Sequence, residues 1–234
     1  MVDDKPIVIS LGGSLVVPNG GIDTKFCIQF NRFIRNQIAQ KRRFFIVVGG
    51  GSLARHYIQA AKDTVGNITD WDLDWLGIHS TRLNAHLIRT IFHDVAHPRI
   101  VENYEKKIVD LKEPLVIASG WKPGHSTDYD AVVLARDYQA EMIINMSNTS
   151  LIYDKDPNKY KDAKPLHRIT WEEFEKLIDD KWSPGTNSPF DPLATKLAKK
   201  LGLTLYSIGS NLDNLSNLLN QKTFIGTVVY SNNK

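Results

Sequence analysis

Three short stretches of this 234-residue chain gather the residue types that hold anions. Gly12-Gly13-Ser14, Gly49-Gly50-Gly51-Ser52 and the run from Gly120 to Asp128 (GWKPGHSTD) each join glycine to a hydroxyl side chain. Glycine lets backbone amides come close to a ligand, and successive amides around a turn make a concavity for an oxyanion. The third stretch sets Gly120, Pro123 and Gly124 before Ser126, Thr127 and Asp128, any of which suits the N-cap of a following helix. Taken singly, each stretch is either an anion cradle at a helix N-terminus or a tight turn with a capping hydroxyl. Arg55 follows Gly51 by four residues, about one helical turn, so its guanidinium can return to the second loop. Lys196 alone reads as a solvated lysine.

The elements that must position these loops alternate β and α. Lys5 to Leu11, Phe44 to Val48, Leu115 to Ala118, Glu141 to Asn145, Thr204 to Ile208 and Gly226 to Tyr230 are apolar runs of strand length. Each of the first three runs straight into a glycine loop. Helical spacing marks Asp23 to Gln40, the segment opened by Gly51, Trp71 to Phe92, and the segment after Asp128. Ile169 to Asp180 reads as a helix capped by Thr170, with Glu173 at the capping-box position; Asp191-Pro192 opens another, with proline at its first position. Leu212 to Leu219 is a last helix. Along the Trp71 helix, Asp74, Thr81, Arg82 and Asn84 are either a solvated face or part of a site, and Gly77 hints at close packing there. Asn158 to Pro165 and Ser183 to Pro189 read as loops. The alternation predicts an α/β fold with a parallel-rich sheet covered on both faces, the Leu115 strand at its centre.

Composition narrows the function classes. The charge of +3 is mild and the basic pairs are scattered among acids, so nucleic acid is not an expected partner. One cysteine, Cys27, excludes an intrachain disulfide and a cysteine-based zinc site. No run is long enough for a membrane span and the N-terminus is no signal peptide, so the expectation is a cytoplasmic protein. Gly49 to Ala54 fits a dinucleotide fingerprint formally, but it follows the second strand and has no acid at the end of the next one. A P-loop G-x-x-x-x-G-K-[ST] is absent from the sequence.

Seven segments, taken in order, resemble the amino acid kinase superfamily and, within it, the archaeal-type UMP kinases. They are LGGSL (11–15), VVGGGSLAR (47–55), DWLGIHSTRLNA (74–85), GWKPGHSTD (120–128), YDKDP (153–157), DPLATK (191–196) and GTVVY (226–230). The resemblance implies phosphorylation of UMP to UDP by ATP with Mg2+, on one open, mainly parallel sheet of about eight strands sandwiched between helices. It implies an acceptor lobe (1–125), an ATP lobe (126–234) and a homo-oligomer, a hexamer in the family. By position, Gly50, Asp74 and the loop Trp121, Lys122, Pro123, Gly124, His125, Ser126 and Thr127 match UMP contacts. Gly12, Gly13, Ser14, Gly51 and Arg55 match the surroundings of the ATP phosphates, and Ser147, Asn148, Tyr153 and Asp156 match the adenosine side. Asp128 matches the acid that organises charge at the reaction centre, with Arg55 and Lys196 as the cations beside it. No protein metal site is implied.

Three departures from that pattern bear on chemistry, one of them Trp121-Lys122, which brings bulk and a charge into the acceptor loop. Ser10 stands where many members carry a lysine before the first diglycine, and Ser150-Leu151 stands where Asp-Gly is usual. Isopentenyl phosphate kinases of the superfamily carry a histidine near the first glycine loops, where this chain has none; His56 reads as a helix-surface residue.

Overall fold

Alternating side-chain direction along β1 (Ile7–Leu11), a strand buried on both faces, sets the layers of the molecule. In the computed structural model, which describes residues 5–157, 159–178 and 189–232, Ile9 and Leu11 face one side of the sheet and Val8 the other. The chain continues through α1 (Gly13–Val16), α2 (Thr24–Ala39), β2 (Phe44–Val48), α3 (Gly51–Val65), α4 (Asp70–Ile91) and β3 (Leu115–Ala118). The second half runs α5 (Thr127–Asp137), β4 (Met142–Met146), β5 (Ile152–Tyr153), β6 (Pro165–Leu166), β7 (Arg168–Thr170) and α6 (Trp171–Glu175). It closes with α7 (Pro192–Leu201), β8 (Thr204–Ile208), α8 (Leu212–Leu219) and β9 (Thr227–Tyr230).

Seven strands form the main sheet in the order β3-β2-β1-β4-β8-β9-β7, and β5 pairs with β6 in a separate ribbon. Every pairing in the main sheet is parallel except β8 with β9. One face packs on α5, α6 and α7 through Ala131 to Ala135, Trp171, Phe174 and Ala194. The other packs on α2, α4 and α8 through Phe30, Ile34, Ile88 and Leu215. Strands buried on both faces read as unbroken apolar runs, which is why FFIVV and LVIA carry no alternation. No helix among the described residues is long and apolar enough to cross a membrane.

Three expectations need correction. Leu115 to Ala118 is the edge strand of the sheet, not its centre, and bridges from Ala96 and Val101 cover its free side. Ile169 belongs to β7, paired with Val229, so α6 starts at Trp171, although the Thr170–Glu173 capping box is present. Pro165, expected in a loop, pairs with Tyr153. Asp179 and Asp180 of the expected helix, and 183–188 of the expected loop, lie outside the described residues.

Candidate active site at the β1–β4 crevice

From β1 the chain fills one half of the sheet with β2 and β3, then returns to lay β4 on the other side of β1. In an open α/β sheet such a reversal leaves a crevice at the carboxyl ends of the two strands. The glycine loops lie there. Gly12 donates its amide to Met146 O (2.8 Å) and Gly49 donates to Leu11 O (2.9 Å), so the loops after β1, β2 and β4 are tied together. The first two interlock: a Cβ on Gly13 would sit 2.2 Å from Gly51 N, and Gly51 itself has φ +64°. Only glycine fits both positions. Ser52 has a structural task, donating to Val17 O (2.8 Å) and accepting from Gly20 N (2.7 Å).

α4 supplies the clamps. Asp74, Thr81 and Asn84 are buried, so this stripe is no solvated face. Asn84 donates to Gly49 O and Gly50 O (2.9 and 3.0 Å), Thr81 Oγ1 accepts from Gly120 N (2.8 Å), and Asp74 Oδ2 accepts from Gly124 N (2.8 Å). Seven-residue spacing from Asp74 to Thr81 is two helical turns, so a single helix face holds the second and third loops at once. Burial raises the pKa of Asp74, with the Gly124 amide working against it. Arg82 lies 3.4 Å from Glu102 and donates to Trp121 O (3.3 Å).

The acids gather on the other side of the crevice. Period-two alternation turns Ser10 toward α5, where its hydroxyl donates to Asp128 Oδ1 (2.8 Å). Ser126 caps α5 by accepting from Tyr129 N (3.2 Å). Asp191 caps α7 by accepting from Ala194 N (2.7 Å), and its own amide donates to Asp128 Oδ2 (3.3 Å). Two helix N-termini therefore meet at Asp128, and their dipoles favour negative charge. Burial nonetheless pushes Asp128 up to about 6; the Asp191 charge adds to this, while the Ser10 hydroxyl and the Asp191 amide oppose it. Asp191 is also raised, chiefly by burial. Asp130, fully buried, accepts from Trp121 N (3.1 Å), and burial drives it well above the carboxylate range.

In the loop after β3, Pro123 is buried and Trp121 half-buried between Tyr104 and His125, at ring separations of 5.6 and 5.4 Å. Lys122 Nζ sits 4.0 Å over the Trp121 ring, which keeps its charge beside the loop. Thr127 opens α5, and Ser14 stands in α1. Ser147 and Asn148 follow β4, Ser147 lying against Gly12. Tyr153 is on the β5–β6 ribbon, joined to the main sheet by Ile152 N donating to Thr227 Oγ1 (2.9 Å), and Asp156 is in the turn beyond. Ser150 packs on Gly209, where a Cβ would come within 2.4 Å of its hydroxyl. Arg55 and Lys196 are exposed on α3 and α7, outside the contacts just described. His56 is exposed as expected. The sequence reading missed Asp130, and it read Asp191 only as a helix start. An acid set among Ala131, Val132 and Val133 was the available signal.

The amino acid kinase family model matches residues 5–206. A uridylate kinase of Methanobrevibacter smithii is 32% identical over 228 residues, covering 96% of this chain and 99% of that protein. One from Thermococcus kodakarensis is 35% identical, covering 87% and 89%. The crystal structure of uridylate kinase from Archaeoglobus fulgidus superposes with a TM-score of 0.80 at 30% identity, covering 96% of this chain and 99% of that one. With its crevice, its interlocked glycine loops and these relatives along nearly its whole length, the chain belongs to the amino acid kinase family.

Proposed function

We propose that the protein is a UMP kinase, transferring the γ-phosphoryl group of ATP to UMP to give UDP and ADP in pyrimidine nucleotide supply. The observation that carries this reading is the crevice itself, where glycine loops from β1 and β2 face a buried acid centre. The likeness to uridylate kinases over almost the whole chain supports it. Residues 1–125 form the acceptor lobe: Gly50, Asp74 and the loop 121–127 hold UMP. Asp74 keeps Oδ1 for a ribose hydroxyl while Oδ2 fixes the Gly124 amide. Residues 126–234, with Gly12, Gly13, Ser14, Gly51 and Arg55, hold ATP, and Ser147, Asn148, Tyr153 and Asp156 lie toward its adenosine. Phosphoryl transfer needs alignment and charge neutralisation more than covalent chemistry; the backbone amides of the glycine loops contribute to both, while Asp128 orders the groups around them.

Among the described residues no group of three ligating side chains forms a cage for a metal. On the proposed reading the magnesium ion would come with the nucleotide phosphates, whose charge it would neutralise. Assembly into a homo-oligomer belongs to the same reading. Ile22 and Ile28, each 53% exposed, border an apolar groove of about 450 Å³ that Leu87 and Ile91 of α4 also line. Light scattering should return a multiple of the 26.5 kDa chain; a monomer would reject this part. For the activity, ADP release is measured with UMP, CMP, dCMP, AMP and acetylglutamate as acceptors. UMP should give the highest kcat/KM. Faster turnover of another acceptor, or nucleotide binding without turnover, would overturn the proposal.

A further inference from the structure

We propose that Asp130 is a positioning residue for the acceptor loop, holding the Trp121 amide as a neutral, proton-bearing carboxyl. Its side chain has no exposed surface, and Oδ2 accepts the Trp121 N–H at 3.1 Å. Oδ1 is buried without a hydrogen-bond partner among the described residues. The charged and titratable groups facing it are Asp128 on its own helix, Asp191 at the start of α7 and Tyr104 from the segment before β3. Two of these are acids, and the Tyr104 hydroxyl is committed to Ser119 O (2.6 Å). Arg82, which faces Tyr104 from α4, is held by Glu102 and Trp121 O. No cation among the described residues pairs with Asp130.

An ionised carboxylate in this place would be a desolvated charge beside two others of the same sign, a strongly unfavourable state. The protonated acid avoids that cost and still offers a carbonyl-type oxygen to the Trp121 amide. Tyr104 packs on Trp121, and His125 bridges from Trp121 to Tyr129 at 4.7 Å, so the anchored amide fixes a row of rings along the loop. Asp130 thus lies behind the loop and acts through Trp121. The direction of its titration agrees with this role, since burial, the leading cause, raises it against the Trp121 hydrogen bond, which lowers it.

The test compares Asp130→Asn with Asp130→Ala. Asparagine is neutral and keeps an acceptor oxygen; alanine removes it. In ligand-free protein, hydrogen exchange at residues 120–125 should stay within about twofold of wild type for Asp130→Asn and quicken about tenfold for Asp130→Ala. The KM for UMP should follow the same split, about tenfold higher for alanine only, with the KM for ATP unchanged. This second arm rests on the UMP kinase reading. If wild type fails to use UMP, that reading falls while the exchange data still decide the role of Asp130. Should Asp130→Ala not fold, the melting temperatures of wild type and Asp130→Asn across pH serve instead. A group with a raised folded-state pKa loses stability as pH climbs above the unfolded value near 4, so the advantage of Asp130→Asn should grow with pH. Asparagine exchanging as fast as alanine, alanine keeping full protection, or a pH-independent difference in melting temperature would each overturn the proposal.

Discussion

On the proposed function, Asp128 couples stability to chemistry. Its carboxyl holds a proton to about pH 6 in the folded protein, against about 3.9 in an unfolded chain. Between those values the folded state binds more protons, so stability falls as pH rises from about 4 to 6 and levels off above. Asp128→Asn removes this dependence. Relative to wild type, the variant should gain in melting temperature across that window and hold the gain at neutral pH, while kcat drops about 10²-fold or more because the charge is gone. Near-normal turnover would reduce Asp128 to a structural acid. In wild type the same ionisation should appear as an acid limb near pH 6 in kcat/KM. Ser10→Ala should move that limb upward, since the Ser10 hydroxyl donates to Asp128 and favours its ionised form. A limb unmoved by Ser10→Ala would assign it to another group.

At the scale of elements, α4 links the site to the fold. Asn84 serves two carbonyls of the second glycine loop from one buried amide. Asn84→Ala leaves both without that donor, and the expected loss is about 1–3 kcal/mol in denaturant unfolding, with a raised KM for the bound nucleotides. An unchanged midpoint would show that the loop holds itself. Apolar periodicity, glycines and caps made most elements legible in the sequence: α5 is capped by Ser126, one of the three residues that suited the place, α7 begins where Asp191 predicts, and the Thr170–Glu173 box forms as read. Strand order was not legible. Two-sided burial makes an edge strand covered by Ala96 and Val101 look like a central one, because both read as LVIA. β7 was hidden because three residues are too few to show alternation, and Thr170 serves strand and cap together. Within the site, glycine loops announce themselves. The partners of Asp74, Thr81 and Asn84 are backbone amides and carbonyls from other elements, which side-chain spacing cannot reveal.

Across the whole molecule the acids of the crevice lie on one half of the sheet, and Arg55 stands on the other. Asp128, Asp130 and Asp191 cluster where α5 meets α7. Arg55 stands on α3 across the β1–β4 boundary and is exposed. Phosphoryl transfer brings several more negative charges into this space, so positive charge must come from the N-terminal half as well as from the metal. Ser10 cannot supply it: its side chain is a neutral hydroxyl, and it donates to Asp128. Arg55 starts one turn beyond Gly51, and a guanidinium can grip two phosphate oxygens at once, which an ammonium cannot. Arg55→Ala should therefore cost about 10²-fold or more in kcat/KM, and Arg55→Lys should recover little of it. A lysine at position 10 would rise from β1 on the face of α5, beside Asp128, and place a charge at the floor of the crevice. Ser10→Lys should accordingly restore part of the activity in the Arg55→Ala background while adding little to wild type. The measurement is kcat/KM for ATP and UMP in the two single variants and the double. Full activity in Arg55→Ala would move the neutralising charge elsewhere, with Lys196 on α7 the next residue to replace.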